Sequence, residues 1–163
     1  MEKRIVRGYG KEDADVFLIG EAPGAEEEKK GKPFVGRAGR VLDVELERNG
    51  ISRDEVYVSN VVKERPPGNR RPTCEEIRVW LPDLLKEIEQ VKPRILVLLG
   101  KTAAESILQR EVKIDKEYGK VEEIEIGGRR YKAIISYHPA SIFHSNNAKI
   151  RFRECIAKIR EVK

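Results

Sequence analysis

Four short apolar segments constrain the fold of this chain more than any other feature. Each has the length of a strand and is rich in Val, Ile and Leu, and they occupy residues 15–20, 56–60, 94–100 and 132–137. Segments with helical periodicity alternate with them, at residues 38–49, 73–91, 102–108 and 147–161. This alternation predicts an α/β fold, a three-layer α/β/α sandwich with a central, mainly parallel four-stranded sheet.

The length and composition indicate one intracellular domain. A chain of 163 residues can bury one full core, so a single domain over residues 1–163 is expected. No run approaches the roughly 20 apolar residues of a membrane span, and no signal-like segment follows Met1. We therefore expect a cytoplasmic protein with no membrane partner. The Gly127-Gly128 pair predicts a hairpin that leads into the last core strand.

The charge and the cysteines narrow the classes of partner. Lys and Arg number 33 against 28 Asp and Glu, and the resulting net charge of +5 suits a polyanion. Charged residues make up 37% of the chain, and Gln occurs only at Gln90 and Gln109, which predicts a thermophilic origin. Cys74 and Cys155 lie far apart without a CxxC pair, so no protein-held metal is expected.

Two segments that carry chemistry follow the first and last apolar runs. GEAPG covers residues 20–24 and HPAS covers residues 138–141. Because parallel strands present their carboxyl ends at one edge of a sheet, Glu21 and His138 are expected to face one substrate. Backbone N–H groups around Gly24 would bind an anion or oxyanion. The alternatives are an ordinary strand-to-helix connection and a structural histidine.

Further residues suit a nucleic acid. Phe34 could stack on a planar base, or fill the edge of the core. Asn60 could donate and accept along the edge of uracil, or cap the next turn. The proline-rich loop over residues 63–72 would follow a phosphate backbone with its cations, or form a solvated surface. The cations that we assign to this role are Lys63, Arg65 and Arg70.

In this order the segments resemble the uracil-DNA glycosylase superfamily, most closely its thermostable family four enzymes. The matching stretches are GEAPGAEEEKKGKPFVGRAG, SNVVKERPPGNRRP, PRILVLLGKTAAESIL and YHPAS. The resemblance implies a monofunctional enzyme of base excision repair. It would flip deaminated bases, chiefly uracil, out of DNA and hydrolyse the N-glycosidic bond to leave an abasic site.

The resemblance also implies roles for individual residues. Glu21 would activate the attacking water and stabilise positive charge on the sugar, and His138 would hydrogen-bond uracil O2 as negative charge develops there. The Ala22 N–H would also reach O2. The remaining substrate-binding residues are Gly24, Glu27 near the C5 position, Phe34 stacked on the base, and Asn60 at its edge. The expected minor-groove residues are Pro139, Ala140 and Ser141.

The resemblance has implications for partners as well. It implies uracil-containing DNA as the substrate and association with the nucleoid through that DNA. A sliding clamp and other repair proteins are candidate partners. No heptad pattern or long exposed strand favours a dimer, so a monomer is expected.

One departure concerns the iron-sulfur cluster of the family four enzymes. That cluster is held by an amino-terminal CxxC pair, by the cysteine of a KCRPP motif and by one later cysteine. Here Glu64 and Trp80 occupy the last two positions. We therefore expect no cluster and no other cofactor, with packing around Trp80 and ion pairing near Glu64 in its structural place.

Two alternative functions remain at this point. The enzyme could prefer hypoxanthine or xanthine, since only Asn60 favours uracil. The chain could instead be a non-catalytic protein that binds damaged or single-stranded DNA. The presence of both Glu21 and His138 argues against such a binding protein, which has little use for a buried carboxylate.

Overall fold

The structure is a computed structural model that describes residues 4–162. Its strands are β1 (Tyr9–Gly10), β2 (Val16–Gly20), β3 (Tyr57–Asn60), β4 (Ile95–Leu99), β5 (Val121–Ile126) and β6 (Arg129–Ser136). Its α-helices are α1 (Ala25–Lys30), α2 (Arg37–Arg48), α3 (Cys74–Val91), α4 (Lys101–Leu108), α5 (Ile114–Glu117) and α6 (Asn146–Val162). Short 3₁₀ helices cover Arg53–Glu55, Pro67–Asn69 and Pro139–Phe143. Within residues 4–162, no helix has the length and apolarity needed to cross a membrane.

The strands form one mixed sheet in the order β1-β3-β2-β4-β6-β5. The four inner strands run parallel, and β1 and β5 join the two edges antiparallel. The predicted α/β class is confirmed, but the sheet has six strands rather than four. The two edge strands lack a continuous apolar run: β1 has two exposed residues, and β5 alternates Glu with half-buried or exposed aliphatic residues. The predicted hairpin joins β5 to β6.

Side chains of the inner strands alternate between two apolar cores. On β2, Phe17 and Ile19 pack with residues of α3 and α4, whereas Val16 and Leu18 pack with residues of α2 and α6. The same alternation on β4 and β6 completes both cores. Two helices therefore cover each face of the sheet, which gives the predicted three layers. The carboxyl ends of the parallel strands all open at one edge.

Lys63 lies in the interior rather than on the loop surface. Its side chain is 1% exposed, and its Nζ donates to Ser59 Oγ at 2.7 Å and to the Asn60 carbonyl at 2.6 Å. The ammonium also pairs with Glu87 Oε1 at 2.6 Å. Burial lowers the pKa of Lys63, and the Glu87 carboxylate opposes that shift. The prediction that Lys63 contacts DNA phosphates is therefore wrong, because its charge is already engaged inside the protein.

We expect Lys63→Met to lower the free energy of unfolding by about 3–5 kcal/mol, because it leaves the largely buried Glu87 carboxylate without its cation. Equilibrium unfolding in guanidinium chloride measures this change. The matched control is Arg78→Met, which removes an exposed pair with Glu75 and should cost less than about 1 kcal/mol. Equal stabilities of the two variants would contradict a structural role for the buried pair.

Candidate active site

A cleft of about 510 Å³ opens at the carboxyl edge of the sheet. Glu21, Ala22 and Gly24 line it from the loop after β2, and His138 lines it from the segment after β6. A smaller pocket of about 60 Å³ lies beside it and shares Ala22 and His138 with the cleft. The other residues of the small pocket are Glu27, Phe34, Ala38, Gly39 and Asn60. The structure thus brings together every residue that the sequence assigned to catalysis or base binding.

Glu27 organises the loop that carries most of these residues. Its Oε1 accepts a hydrogen bond from the Gly24 N–H at 3.0 Å. Its Oε2 accepts from the N–H groups of Val35 at 2.9 Å and Gly36 at 2.8 Å. One carboxylate therefore joins the start of α1 to the segment before α2. This fixes the loop around the small pocket and holds Glu27 itself on the pocket wall.

Phe34 has a left-handed backbone that the protein stabilises from outside the pocket. Its φ is +53°, which is uncommon for a residue other than glycine. Arg53 Nη2 donates to the carbonyls of Pro33 and Phe34, each at 2.9 Å. Arg53 is in turn paired with Asp43. Sequence reasoning missed Arg53, because no local pattern connects it with a residue 19 positions earlier.

Gly20 allows two pocket residues to meet at the end of β2. A Cβ at this position would lie 2.4 Å from Phe34 Cζ and 2.6 Å from Asn60 Oδ1. Any larger residue would therefore push the Phe34 ring or the Asn60 amide out of place. The glycine of the GEAPG segment serves the packing of the pocket as well as its loop.

Asn60 presents an unpaired amide to the small pocket. The residue is only 3% exposed, and its side chain makes no hydrogen bond within residues 4–162. Among those residues it caps no turn, so the alternative capping role is not found. A pocket-lining amide without an internal partner can donate to and accept from a ligand.

His138 is a neutral donor at neutral pH. Its Nδ1 accepts a hydrogen bond from the Ala140 N–H at 3.0 Å, so the proton of the neutral ring lies on Nε2. Burial lowers the pKa of His138 to about 4, and the Glu27 carboxylate opposes the shift. The imidazole packs on Phe34 with ring centroids 5.8 Å apart. His138 therefore contributes an N–H without adding positive charge to the pocket.

Glu21 is held from the neighbouring strand-to-helix junction. Its Oε2 accepts a hydrogen bond of 2.6 Å from the hydroxyl of Thr102, in the first turn of α4. Thr102 is 4% exposed and was not among the residues expected from the sequence. The two residues are 81 positions apart, so only the pairing of β2 with β4 shows that they meet.

Comparison with known proteins identifies the family. A family model described as the uracil DNA glycosylase superfamily matches residues 7–160. The chain belongs to the uracil-DNA glycosylase superfamily. It is 38% identical over 161 residues to a type-4 uracil-DNA glycosylase of Archaeoglobus fulgidus, an alignment that covers 96% of this chain and 81% of that protein.

One further relative agrees with this family, and one solved structure shares the fold. A type-4 uracil-DNA glycosylase of Thermotoga maritima is 40% identical over 148 residues, covering 90% of this chain and 76% of that protein. The fold matches the solution NMR structure of a candidate uracil DNA glycosylase from Methanosarcina acetivorans with a TM-score of 0.58. That match covers 97% of this chain and 98% of the other at 16% identity, and it supports the fold alone.

The surface around the cleft differs in detail from the sequence expectation. Arg70 lines the cleft, but its guanidinium is paired with Glu76. Arg65 is half-buried, donates to Asn69 Oδ1 at 2.8 Å and lies 3.6 Å from a Glu28 oxygen. The cleft lining also includes Asn69, Arg71, Lys101 and His144, which the sequence analysis did not single out.

The turn after β6 presents only part of its predicted DNA surface. Ala140 and Ser141 line the cleft, and both are partly exposed. Pro139 is buried within the turn, so the prediction that it enters the minor groove is wrong for this structure. Its ring instead begins the 3₁₀ helix, where a proline lacking an N–H is tolerated.

The described residues do not fit an iron-sulfur cluster. Residues 4–162 contain no group of three or more His, Cys, Asp or Glu side chains that could hold a metal ion. Cys74 is exposed and Cys155 is buried, and both are free thiols. Trp80 lies on α3 and packs against the core. In that described part Glu64 itself forms no ion pair, although its neighbours Lys63 and Arg65 do.

The lowered pKa of His138 makes a pH-dependent contribution to stability. The unfolded chain binds this proton near pH 6.5, whereas the folded protein binds it only near pH 4. Stability is therefore lost as the pH falls from 6.5 to 4, by up to about 3 kcal/mol. Guanidinium unfolding at several pH values should show a smaller loss for His138→Gln than for the wild type.

The exposed His144 provides the matched control for this measurement. His144→Gln should keep the pH dependence of the wild type. If His138→Gln lost as much stability as the wild type between pH 6.5 and pH 4, burial of a neutral His138 would be contradicted.

Proposed function

We propose that this chain is a monofunctional glycosylase of DNA repair that hydrolyses the N-glycosidic bond of deoxyuridine in DNA. The observation that carries the proposal is one arrangement at the carboxyl edge of the sheet. There the unpaired amide of Asn60, the neutral imidazole of His138 and the carboxylate of Glu21 line two adjoining cavities. The type-4 relatives support the same reaction.

We propose that the flipped uracil enters the small pocket. Extrusion of the base costs a few kcal/mol of unstacking, and stacking on Phe34 offsets part of that cost. Asn60 would donate to O4 and accept from N3–H, a pattern that cytosine does not match. Glu27, fixed by three backbone N–H groups, would form the wall near C5. The small volume of the pocket favours a pyrimidine over hypoxanthine or xanthine.

The leaving group would be stabilised by two neutral donors. As the bond between C1′ and N1 breaks, its electron pair moves to N1, and negative charge spreads onto O2. The Nε2–H of His138 would bind this oxygen. The Ala22 N–H, which donates to no group within residues 4–162, would bind it as well. A preorganised donor at a developing oxyanion contributes about 3–4 kcal/mol.

Glu21 would act on the other side of the scissile bond. Its carboxylate stabilises the positive charge that develops on the sugar. Water then forms a bond to C1′ and passes a proton to this carboxylate, which later returns it to solvent. The uracil anion takes up one proton from solvent after it leaves. The products are uracil and a DNA strand with an abasic site, and no metal or iron-sulfur cluster takes part.

We propose that the protein acts inside the cell as one monomeric domain, and that a sliding clamp or other repair proteins are its candidate partners. DNA would approach along the cleft, with Ala140 and Ser141 at its minor groove. Arg65 and Arg70 would contact the phosphates, Arg70 by exchanging Glu76 for a phosphate oxygen. The excess of basic residues supports a surface that binds a polyanion such as DNA.

We expect uracil excision to depend on both proposed catalytic residues. Glu21→Ala and His138→Ala should each lower the rate about 10²- to 10³-fold while most DNA affinity remains. The assay uses a labelled oligonucleotide with one deoxyuridine opposite G or A, followed by alkali. Oligonucleotides with hypoxanthine or xanthine test the alternative bases.

The matched control for the carboxylate is Glu26→Ala, since Glu26 is an exposed acid five residues further on. Its excision rate should equal that of the wild type. Absence of cleavage by the wild type, beside an active reference glycosylase, would overturn the enzymatic proposal and favour a DNA-binding protein without catalysis.

We expect Arg65→Gln and Arg70→Gln each to lower the slope of log affinity against log salt concentration by about 1, because each removes one phosphate contact. Fluorescence anisotropy with duplex DNA at several salt concentrations gives this slope. Arg94→Gln, at the opposite end of the sheet, is the control and should leave it unchanged. An unaltered slope for both the Arg65 and the Arg70 variant would exclude these residues from the DNA interface.

A further inference from the structure

Glu21 has one side-chain partner in the part of the chain that the structure describes. Thr102 Oγ1 donates to its Oε2 at 2.6 Å, while Oε1 has no protein partner there. In that same part no cation lies within 4.0 Å of the carboxylate. The Thr102 hydroxyl therefore sets the orientation of the carboxylate, and the second oxygen stays open to the cleft.

The sheet places Thr102 at Glu21 through a single tight junction. β2 and β4 are parallel with Ile19 opposite Leu98, so Glu21 follows its strand at the level of Gly100. Gly100 has a φ of +99°, and α4 begins at the next residue. Thr102 is thus the second residue of α4, with its side chain directed back to the end of β2.

The same junction also contacts His138. The Gly100 N–H donates to the Ser136 carbonyl at 2.8 Å, which ties the junction to the end of β6. A Cβ at Gly100 would lie 3.2 Å from His138 Cβ, tighter than most such contacts. The turn from β4 into α4 therefore abuts both proposed catalytic residues, one by a hydrogen bond and the other by packing.

We infer that Thr102 is a positioning residue for catalysis, an inference that rests on the proposed function of this site. Its hydroxyl holds Oε2 of Glu21, so that Oε1 faces the sugar and the attacking water. The hydroxyl is not required to cap α4, because the N-cap residue is Gly100 and no side chain caps this helix. A valine would fill the same volume, so the hydroxyl itself carries the role.

The test compares Thr102→Val, Thr102→Ser and the wild type in uracil excision. Loss of the hydroxyl should lower kcat about 10²-fold, because the carboxylate loses its orientation. KM should change little, because DNA binding does not depend on this hydroxyl. Thr102→Ser restores the donor and should recover most of kcat. The control Ser106→Ala removes another buried hydroxyl of α4 and should retain wild-type kcat.

A double-mutant cycle separates positioning from a purely structural effect. If Thr102 acts through Glu21, adding Thr102→Val to Glu21→Ala should cause no further loss. Thermal unfolding checks that each variant is folded, and Thr102→Ala, which removes the same donor, replaces Thr102→Val if valine is not accommodated.

Three results would overturn the inference. They are a donor-free variant with wild-type kcat, failure of serine to restore kcat, and an undiminished effect of the Thr102 substitution in the Glu21→Ala background. A wild-type protein that releases no uracil would instead overturn the proposed function, and the inference with it.

Discussion

The hydrogen-bonded register of the parallel strands is the constraint on which the whole site depends. Gly20 pairs opposite Asn60, and Leu99 pairs opposite Ser136, so the chain leaves every inner strand at the same edge. Every residue of β2 and β4 is buried, which fixes that register from both faces. Because side chains alternate, a slip of one residue would turn Asn60 away from the pocket. The apolar cores therefore determine which polar groups can meet.

A buried ionic network secures the end of β3 beside the pocket. Glu87 of α3 accepts from the Gly8 N–H, from Ser59 Oγ and from the Tyr57 hydroxyl, and it pairs with Lys63. Lys63 also donates a hydrogen bond to the carbonyl of Asn60. Such a pair contributes fixed geometry more reliably than net stability, since its desolvation offsets its attraction. This network brings the amino-terminal segment, α3 and β3 together next to the loop that carries Glu64.

The sequence predicted the parts of this molecule whose signals are local. Buried strands and capped helices have characteristic periods, and the GEAPG and HPAS segments follow directly from the strands that present them. The edge strand β1 could not be predicted, because its two exposed residues have no pattern. Lys63 resembled a surface cation because prolines and arginines follow it, and its partner lies 24 residues away on α3. Arg53 contacts Phe34 from 19 residues away, and Thr102 contacts Glu21 from 81 residues away. Only the folded protein brings these residues together.

The protonation of His138 depends on two opposing effects, its burial and the nearby Glu27 carboxylate. The Glu27 carboxylate alone would raise the pKa of His138 and favour a protonated imidazole. Burial has the larger effect, and both oxygens of Glu27 already accept backbone N–H groups. The same three hydrogen bonds thus shape the loop and engage the negative charge beside His138. The histidine stays a neutral donor, while Thr102 holds the Glu21 carboxylate, which we propose to face the sugar. Opposite charges that develop as the glycosidic bond breaks would therefore meet complementary groups without a prior transfer of a proton within the site.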